Sequence, residues 1–309
     1  MRKIIWMAAV AAVCVLSGCR VTKPMLEWAL RSTNQVSQRL EYADSCEHVV
    51  GIPYVENGDP VQVLDVYYAE GTVRKNAVLI DIHGGFYVAG RRENNRALAS
   101  VFLKEGYDVV LVEYRLNDGR RDVSDELKDC AAALDYLAVN ASKLRLNHAR
   151  MFLTGDSAGG HLALYMAEGA EHVDMPVRPA LFKPRGVMLN CPAYDFASFS
   201  ESKMFSKSAL AWYLGPRYKD ADWMSSVSPR TYISSYTGPL FLSTCTRDFI
   251  RGESLRLKSD CESLGRDLVF VDIESSAKNV GHVHNVVNPS LPESRKVNSA
   301  MLSFMDGLL

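Results

Sequence analysis

The stretch that most limits what this chain can become runs from Met151 to Ala167. An apolar run, Met151-Phe152-Leu153, leads into Thr154-Gly155-Asp156-Ser157-Ala158-Gly159-Gly160-His161, and a helix-like run, Leu162 to Ala167, leads out. A strand that turns sharply into a helix is the building unit of a parallel sheet. Gly155-x-Ser157-x-Gly159 has the form of a nucleophile elbow, a tight turn that exposes a serine hydroxyl and that side chains at the glycine positions would crowd. The pattern alone is weak, since about one chain in ten of this length would carry it at ordinary glycine and serine usage. An ordinary glycine-rich loop holding an anion at the helix N-terminus has the same form.

Around this unit, strands and helices alternate. After a turn at Glu56-Asn57-Gly58-Asp59-Pro60, β-branched runs at Val61 to Tyr68 and Ala77 to Ile80 read as strands. Asp108 to Val112, Met151 to Leu153, Gly186 to Leu189, Leu240 to Thr244 and Leu268 to Ile273 read likewise, and Ser124 to Val139, Glu253 to Leu264 and Glu293 to Leu308 read as helices. This predicts an α/β class: a mostly parallel, doubly wound sheet with helices on both faces. Between Pro192 and Pro239 the periodicity weakens, so residues 192–239 are expected to form a small cap inserted over the strand ends of one domain spanning 46–309. A chain of 309 residues with 48% hydrophobic content can bury such a core. With 35 basic and 36 acidic residues and no long single-sign block, nothing suggests a nucleic-acid surface.

The N-terminus departs from this pattern. Arg2-Lys3 precedes an almost wholly apolar run from Ile4 to Leu16, too short for a comfortable membrane span and suited to a secretory signal. Leu16-Ser17-Gly18-Cys19 resembles the lipobox of bacterial lipoproteins, which implies cleavage of residues 1–18, a lipid on Cys19 and an extracytoplasmic, membrane-tethered protein. The alternative is an uncleaved anchor or a buried N-terminal helix. Residues 19–45 then serve as a tether or as the N-terminal part of a cap. Cys46, Cys130, Cys191, Cys245 and Cys261 show no C-x-x-C spacing, so neither a zinc site nor a redox motif is indicated, and buried free thiols are expected.

In a doubly wound sheet, reactive groups gather on loops at the carboxyl ends of strands. Three such loops carry suitable chemistry. Asp81-Ile82-His83-Gly84-Gly85-Phe86 follows a buried strand, and its glycines free backbone N–H groups to act with the N–H of Ala158 as an oxyanion hole. Thr246-Arg247-Asp248 offers an acid that can orient a histidine, with Asp272 in reserve; a surface Asp248 capping a helix or paired with Arg251 is the plain alternative. Gly281-His282-Val283-His284 offers a base, and in an extended segment only one of the two histidines faces Ser157. The order Ser157, Asp248, His282 is that of α/β-hydrolases. No metal or organic cofactor is required. His83 shapes the oxyanion loop; His48, His148, His161 and His172 read as structural or surface residues, and Arg91-Arg92 as solvated or facing an acidic substrate.

With these residues in place, the sequence resembles the hormone-sensitive-lipase-like branch of the α/β-hydrolases, the bacterial family IV carboxylesterases. The likeness runs from about Val73 to the C-terminus, through His83-Gly84-Gly85, Glu113-Tyr114-Arg115-Leu116, Gly155-Asp156-Ser157-Ala158-Gly159-Gly160, Thr246-Arg247-Asp248 and Gly281-His282. It implies Ser157 as nucleophile, Asp248 as acid and His282 as base, His284 falling where the family usually has phenylalanine. The Tyr-Arg-Leu segment is structural in the family. Phe86 stands where a third glycine is common, a version similar to that of kynurenine formamidases and some polysaccharide-ester hydrolases; Phe86 and Tyr87 are therefore candidates for the substrate pocket. The expectation is a carboxylic ester hydrolase for short acyl esters, acetyl or feruloyl, on a small molecule or polysaccharide. An amidase or peptidase of the same fold, or a non-catalytic lipoprotein binding glycans or a partner, are the competing readings.

Overall fold

Five consecutive strands have every residue buried: β3 (Val78–Ile82), β4 (Asp108–Val112), β5 (Met151–Asp156), β6 (Val187–Asn190) and β7 (Leu240–Cys245). Near-continuous apolar runs of this kind belong to a parallel sheet covered on both faces. The computed structural model, which describes residues 43–56, 58–70, 74–201 and 207–309, places them in the middle of an eight-stranded sheet of order β1-β2-β4-β3-β5-β6-β7-β8. The edge strands β1 (His48–Pro53) and β8 (Val269–Ile273) are more exposed. β2 (Val63–Tyr67) runs antiparallel to both its neighbours and β3 to β8 pair in parallel, the doubly wound arrangement expected. The expected signal segment, Cys19 and residues 19–42 of the tether lie outside the described residues.

Side-chain alternation along each strand divides the core. Val78, Ile80, Ile82, Met151 and Leu153 face one apolar cluster with residues of α2 (Val123–Asn140) and α3 (Ala158–Gly169). Leu79, Phe152, Met188 and Phe241 face the other, with α1 (Arg96–Lys104) and the C-terminal helix. Asp122 caps α2 in a capping box with Asp125, a device that contributes about 1 kcal/mol. Three short helices, α4 (Phe196–Glu201), α5 (Lys207–Leu214) and α6 (Ala221–Ser226), lie between β6 and β7, within the weakly periodic 192–239 segment. α7 (Arg251–Ser263), a single turn α8 (His284–Val287) and α9 (Pro292–Asp306) complete the chain.

Several expectations need correcting. β5 continues three residues beyond Leu153, because Thr154, Gly155 and Asp156 pair with Met188, Leu189 and Asn190 of β6. β3 likewise runs on to Ile82. α1 and β1 carried no separate expectation: α1 follows a polar Arg92–Asn95 turn that hides its start, and β1 holds Gly51 and Pro53 on an exposed edge where alternation is weak. The His282 to His284 segment is not extended, since Val283 is left-handed and His284 opens α8.

Candidate active site

The strand register determines what meets at the carboxyl end of the sheet. Ile82 pairs with Gly155, Asp156 with Asn190, Asn190 with Ser243, and Cys245 with Ile273. The loops after β3, β5, β6, β7 and β8 therefore leave the sheet side by side. Ser157 sits on the turn from β5 to α3 at φ 54°, ψ −119°, a conformation that costs on the order of 1–3 kcal/mol. The turn closes only without side chains beside it: a Cβ on Gly155 would stand 2.3 Å from the Gly159 carbonyl oxygen, and one on Gly159 2.0 Å from that of Ile82. The Ser157 N–H donates to Asn190 O at 2.9 Å. Four other left-handed non-glycine residues, Phe86, Tyr87, Cys191 and Val283, belong to neighbouring loops of the same sheet end.

Asp248 and His282 meet, with Nδ1 of the ring 2.6 Å from Oδ1 of the acid. The carboxylate also accepts from the Thr244 hydroxyl at 2.8 Å and the Ile250 N–H at 3.0 Å. Burial pushes its pKa up, but the His282 charge and these hydrogen bonds outweigh burial and hold it below the usual carboxylate range. An ionised Asp248 accepts a hydrogen bond from Nδ1–H and so leaves Nε2 as the acceptor nitrogen. Nε2 is buried and has no hydrogen-bond partner among the described residues. The ring packs 4.3 Å from that of Phe249, which lines the same cleft as Ser157. The Ser157 hydroxyl and Nε2 thus make no hydrogen bond here, and catalytic hydrogen bonds of this kind often tighten only when substrate binds.

The reserve candidates go elsewhere. Asp272 pairs with Arg251. His284 is buried with Nδ1 on the Ser294 hydroxyl at 2.9 Å, and burial lowers its pKa to about 4.

The oxyanion loop departs from expectation at Gly84. Its N–H donates to Asp156 Oδ1 at 3.0 Å and is not open to a substrate. No hydrogen bond takes up the N–H groups of Gly85 and Phe86 among the described residues. Ala158, as the first residue of α3, has no intrahelical acceptor for its N–H. Among the described residues, the N–H groups of these loops left without an acceptor are therefore those of Gly85, Phe86 and Ala158, whereas that of Gly84 is engaged. Gly84 is instead required for close packing, since a Cβ there would lie 2.5 Å from the Asp156 carbonyl oxygen and from Oδ2.

Behind the loop lies a polar scaffold that the sequence motifs only partly signalled. His83 contacts Gly84 O through Nδ1 at 2.9 Å and Glu113 Oε1 through Nε2 at 3.0 Å. Both partners only accept, so both ring nitrogens must carry protons. Burial disfavours that cation, but the Glu113 carboxylate outweighs burial and raises the His83 pKa. Tyr114 stacks on the ring at 4.4 Å and donates to His83 O. Arg92, expected to be solvated, bridges Asp65 and Glu113 at 2.9 and 3.3 Å. Asn95 was missed: its amide donates to Asp81 at 2.7 Å and Asp156 at 2.8 Å, spacing two buried acids. No local pattern marks it, because its partners are 14 and 61 residues away. His161 is structural, buried with Nε2 on Val227 O at 2.7 Å. The five described cysteines are buried free thiols.

The cleft over Ser157 is apolar. Phe86, Tyr87, Ala193, Phe249 and Ile250 form one side, and Leu210, Tyr213 and Leu214, on one face of α5, close it from the cap. Its volume is about 30 Å³, room for one or two waters. Phe86 contacts Tyr213 at 5.1 Å and Phe249 at 5.7 Å, so one ring joins the oxyanion loop, the cap and the loop of the acid.

Comparison with known proteins agrees with this fold. The model of the BD-FAE family matches residues 64–252. Among curated proteins, lipase 2 of Moraxella sp. (strain TA144) is 34% identical over 93 residues, which are 30% of this chain and 21% of that protein. Carboxylesterase NlhH of Mycobacterium tuberculosis is 27% identical over 205 residues, 63% of this chain and 62% of the relative. The matches thus span about a fifth and under two thirds of those relatives. Among solved structures, esterase B of Lactobacillus rhamnosis in an inhibited form superposes with TM-score 0.80 at 26% identity, covering 91% of this chain and 94% of that one. An esterase of the bacterial hormone-sensitive lipase family superposes with TM-score 0.72 at 19% identity, over 100% of this chain and 98% of that one, and shares the fold.

Proposed function

The chain belongs to the BD-FAE family, and on that premise we propose that it is a serine hydrolase that cleaves carboxylic esters through an acyl-enzyme on Ser157. One observation carries the reading: an ionised Asp248 holds Nδ1 of His282 at 2.6 Å and leaves Nε2 unpartnered beside the cleft of a strained serine. In this mechanism Nε2 takes the Ser157 proton as Oγ attacks the ester carbonyl. The N–H groups of Gly85, Phe86 and Ala158 receive the tetrahedral oxyanion. His282 then protonates the leaving alcohol, and water releases the acid by the same steps in reverse.

The small apolar cleft favours a short acyl group of the acetyl type. A feruloyl group requires the α5 face to move. The alcohol side, a small molecule or a polysaccharide, is open in this reading. The N-terminal sequence supports the further proposal that the protein is anchored outside the cytoplasm through a lipid on Cys19.

Labelling with a fluorophosphonate probe tests the central claim. The purified protein should label and the Ser157→Ala variant should not, with activity falling about 10⁶-fold. p-Nitrophenyl acetate should be turned over faster than the butyrate and longer esters. A folded protein that neither labels nor hydrolyses these esters is a binding protein on a hydrolase scaffold.

A further inference from the structure

The Asp248–His282 pair has a third neighbour that the hydrolytic mechanism does not use. Cys191 follows β6, is 2% exposed, and sits at φ 49°. Its Sγ, a carboxylate oxygen of Asp248 and a ring nitrogen of His282 all lie within 4.8 Å of one another. The Val283 N–H donates to this sulfur at 3.4 Å, so the thiol also anchors the loop that carries His282.

We propose that Cys191, Asp248 and His282 form a binding site for a soft divalent cation, zinc or cadmium, whose occupation switches the hydrolase off. Thiolate, imidazole and carboxylate are the donors zinc prefers. At zinc–ligand bonds of about 2.0–2.3 Å, tetrahedral donors stand about 3.3–3.7 Å apart. The present spread, from 2.6 Å between Nδ1 and Oδ1 to the 4.8 Å limit, brackets that separation. Binding releases one proton, from the thiol; the Nδ1 proton passes to Nε2, so the imidazole stays neutral, and a water completes the fourth position. Charge balances: the cation meets one thiolate and one carboxylate around a neutral imidazole, which suits a buried site. The Val283 N–H remains on the sulfur as an outer-shell hydrogen bond. With Nδ1 on the metal, His282 loses its link to Asp248 and can no longer be stabilised as a cation, so the base is disabled while Ser157 stays in place.

The inhibition part rests on the proposed esterase reading; the binding part does not. Cadmium titration of the reduced protein reads binding directly, through the ultraviolet sulfur-to-metal charge-transfer band. One equivalent should saturate the band, and Cys191→Ala should abolish it. In parallel, zinc should inhibit p-nitrophenyl acetate hydrolysis, EDTA should restore it, and Cys191→Ala should raise the inhibitory zinc concentration at least tenfold. A band of unchanged amplitude in Cys191→Ala, or none in the native protein, overturns the site. If Cys191→Ala fails to fold, Cys191→Ser and Asp248→Asn each give the same reading through a weakened cadmium affinity. A band that follows these variants in a protein without esterase activity keeps the site and removes the esterase.

Discussion

Oδ1 of Asp248 stands 2.6 Å from Nδ1 of His282, a contact between residues 34 apart in the chain. It joins the loop after β7 to the loop after β8, and it sets the tautomer on which the proposed chemistry depends. Asp248→Asn presents an amide in the same place and permits the other tautomer. The expected result is a fall in kcat of about 10⁴ with little change in KM. Steady-state kinetics on a p-nitrophenyl ester checks this, and a loss below about tenfold would mean that Asp248 does not orient the base.

Gly84 and Gly252 make a contrasting pair. A Cβ on Gly84 would come 2.5 Å from the Asp156 backbone oxygen and 3.0 Å from Ser157 Cβ, whereas one on Gly252, in α7, meets nothing within 4 Å. Gly84→Ala should destroy activity and lower Tm sharply, because backbone atoms cannot yield. Gly252→Ala should leave activity unchanged and stabilise by about 0.5–1 kcal/mol through helix propensity. Thermal melts of both variants, with activity measured beside them, decide the point.

The His83–Glu113 pair predicts a pH dependence of stability. Glu113 is lowered below 4.5: burial opposes this, but the His83 bond and charge, with help from Arg92, prevail. Its contribution is present above the unfolded value and lost as pH falls through the folded one. His83 is raised above 6.5, with Asp156 adding to Glu113 against burial, so its contribution is full below that unfolded value and lost as pH rises through the folded one. The pair is therefore strongest between these limits. Glu113→Gln should cost about 2–3 kcal/mol there, with the gap to the native protein closing toward either extreme. Chemical denaturation at a series of pH values measures it, and a gap independent of pH would show that His83 is neutral.

On the proposed reading, the cap face limits the acyl length. Leu210, Tyr213 and Leu214 close a cleft of about 30 Å³ over Ser157. Leu214→Ala should raise the butyrate-to-acetate ratio of kcat/KM by about tenfold, since one or two methylene groups in an apolar pocket are worth about that much. The measurement is a chain-length series of p-nitrophenyl esters. An unchanged ratio would place the acyl group elsewhere.

Much of the fold was legible because its signals are local. Each central strand is a short apolar run, so Asp108–Val112 came out to the residue and the others to within three. The Gly155, Ser157 and Gly159 spacing is likewise local, because the glycines are required by atoms a few residues away or on the adjoining strand. The carboxyl-end rule then pointed to three loops that leave the sheet side by side. Edge strand β1 and helix α1 lacked such signals, one being exposed and the other starting in a polar turn.

What the chain alone determined is the alternating α/β pattern, the strained serine turn and the short list of acids and bases near it. Tertiary structure made the choices within that list. It gave Asp272 to Arg251 and His284 to Ser294, leaving Asp248 and His282 to each other. It engaged the Gly84 N–H with Asp156, left the Phe86 N–H without an acceptor among the described residues, and set Asn95 between two buried acids. The physical reason is the same in each case. A residue's type and its neighbours in sequence limit the backbone it can adopt, but which hydrogen bond a side chain or N–H group makes depends on partners dozens of residues away, brought within about 3 Å only when the sheet register is complete.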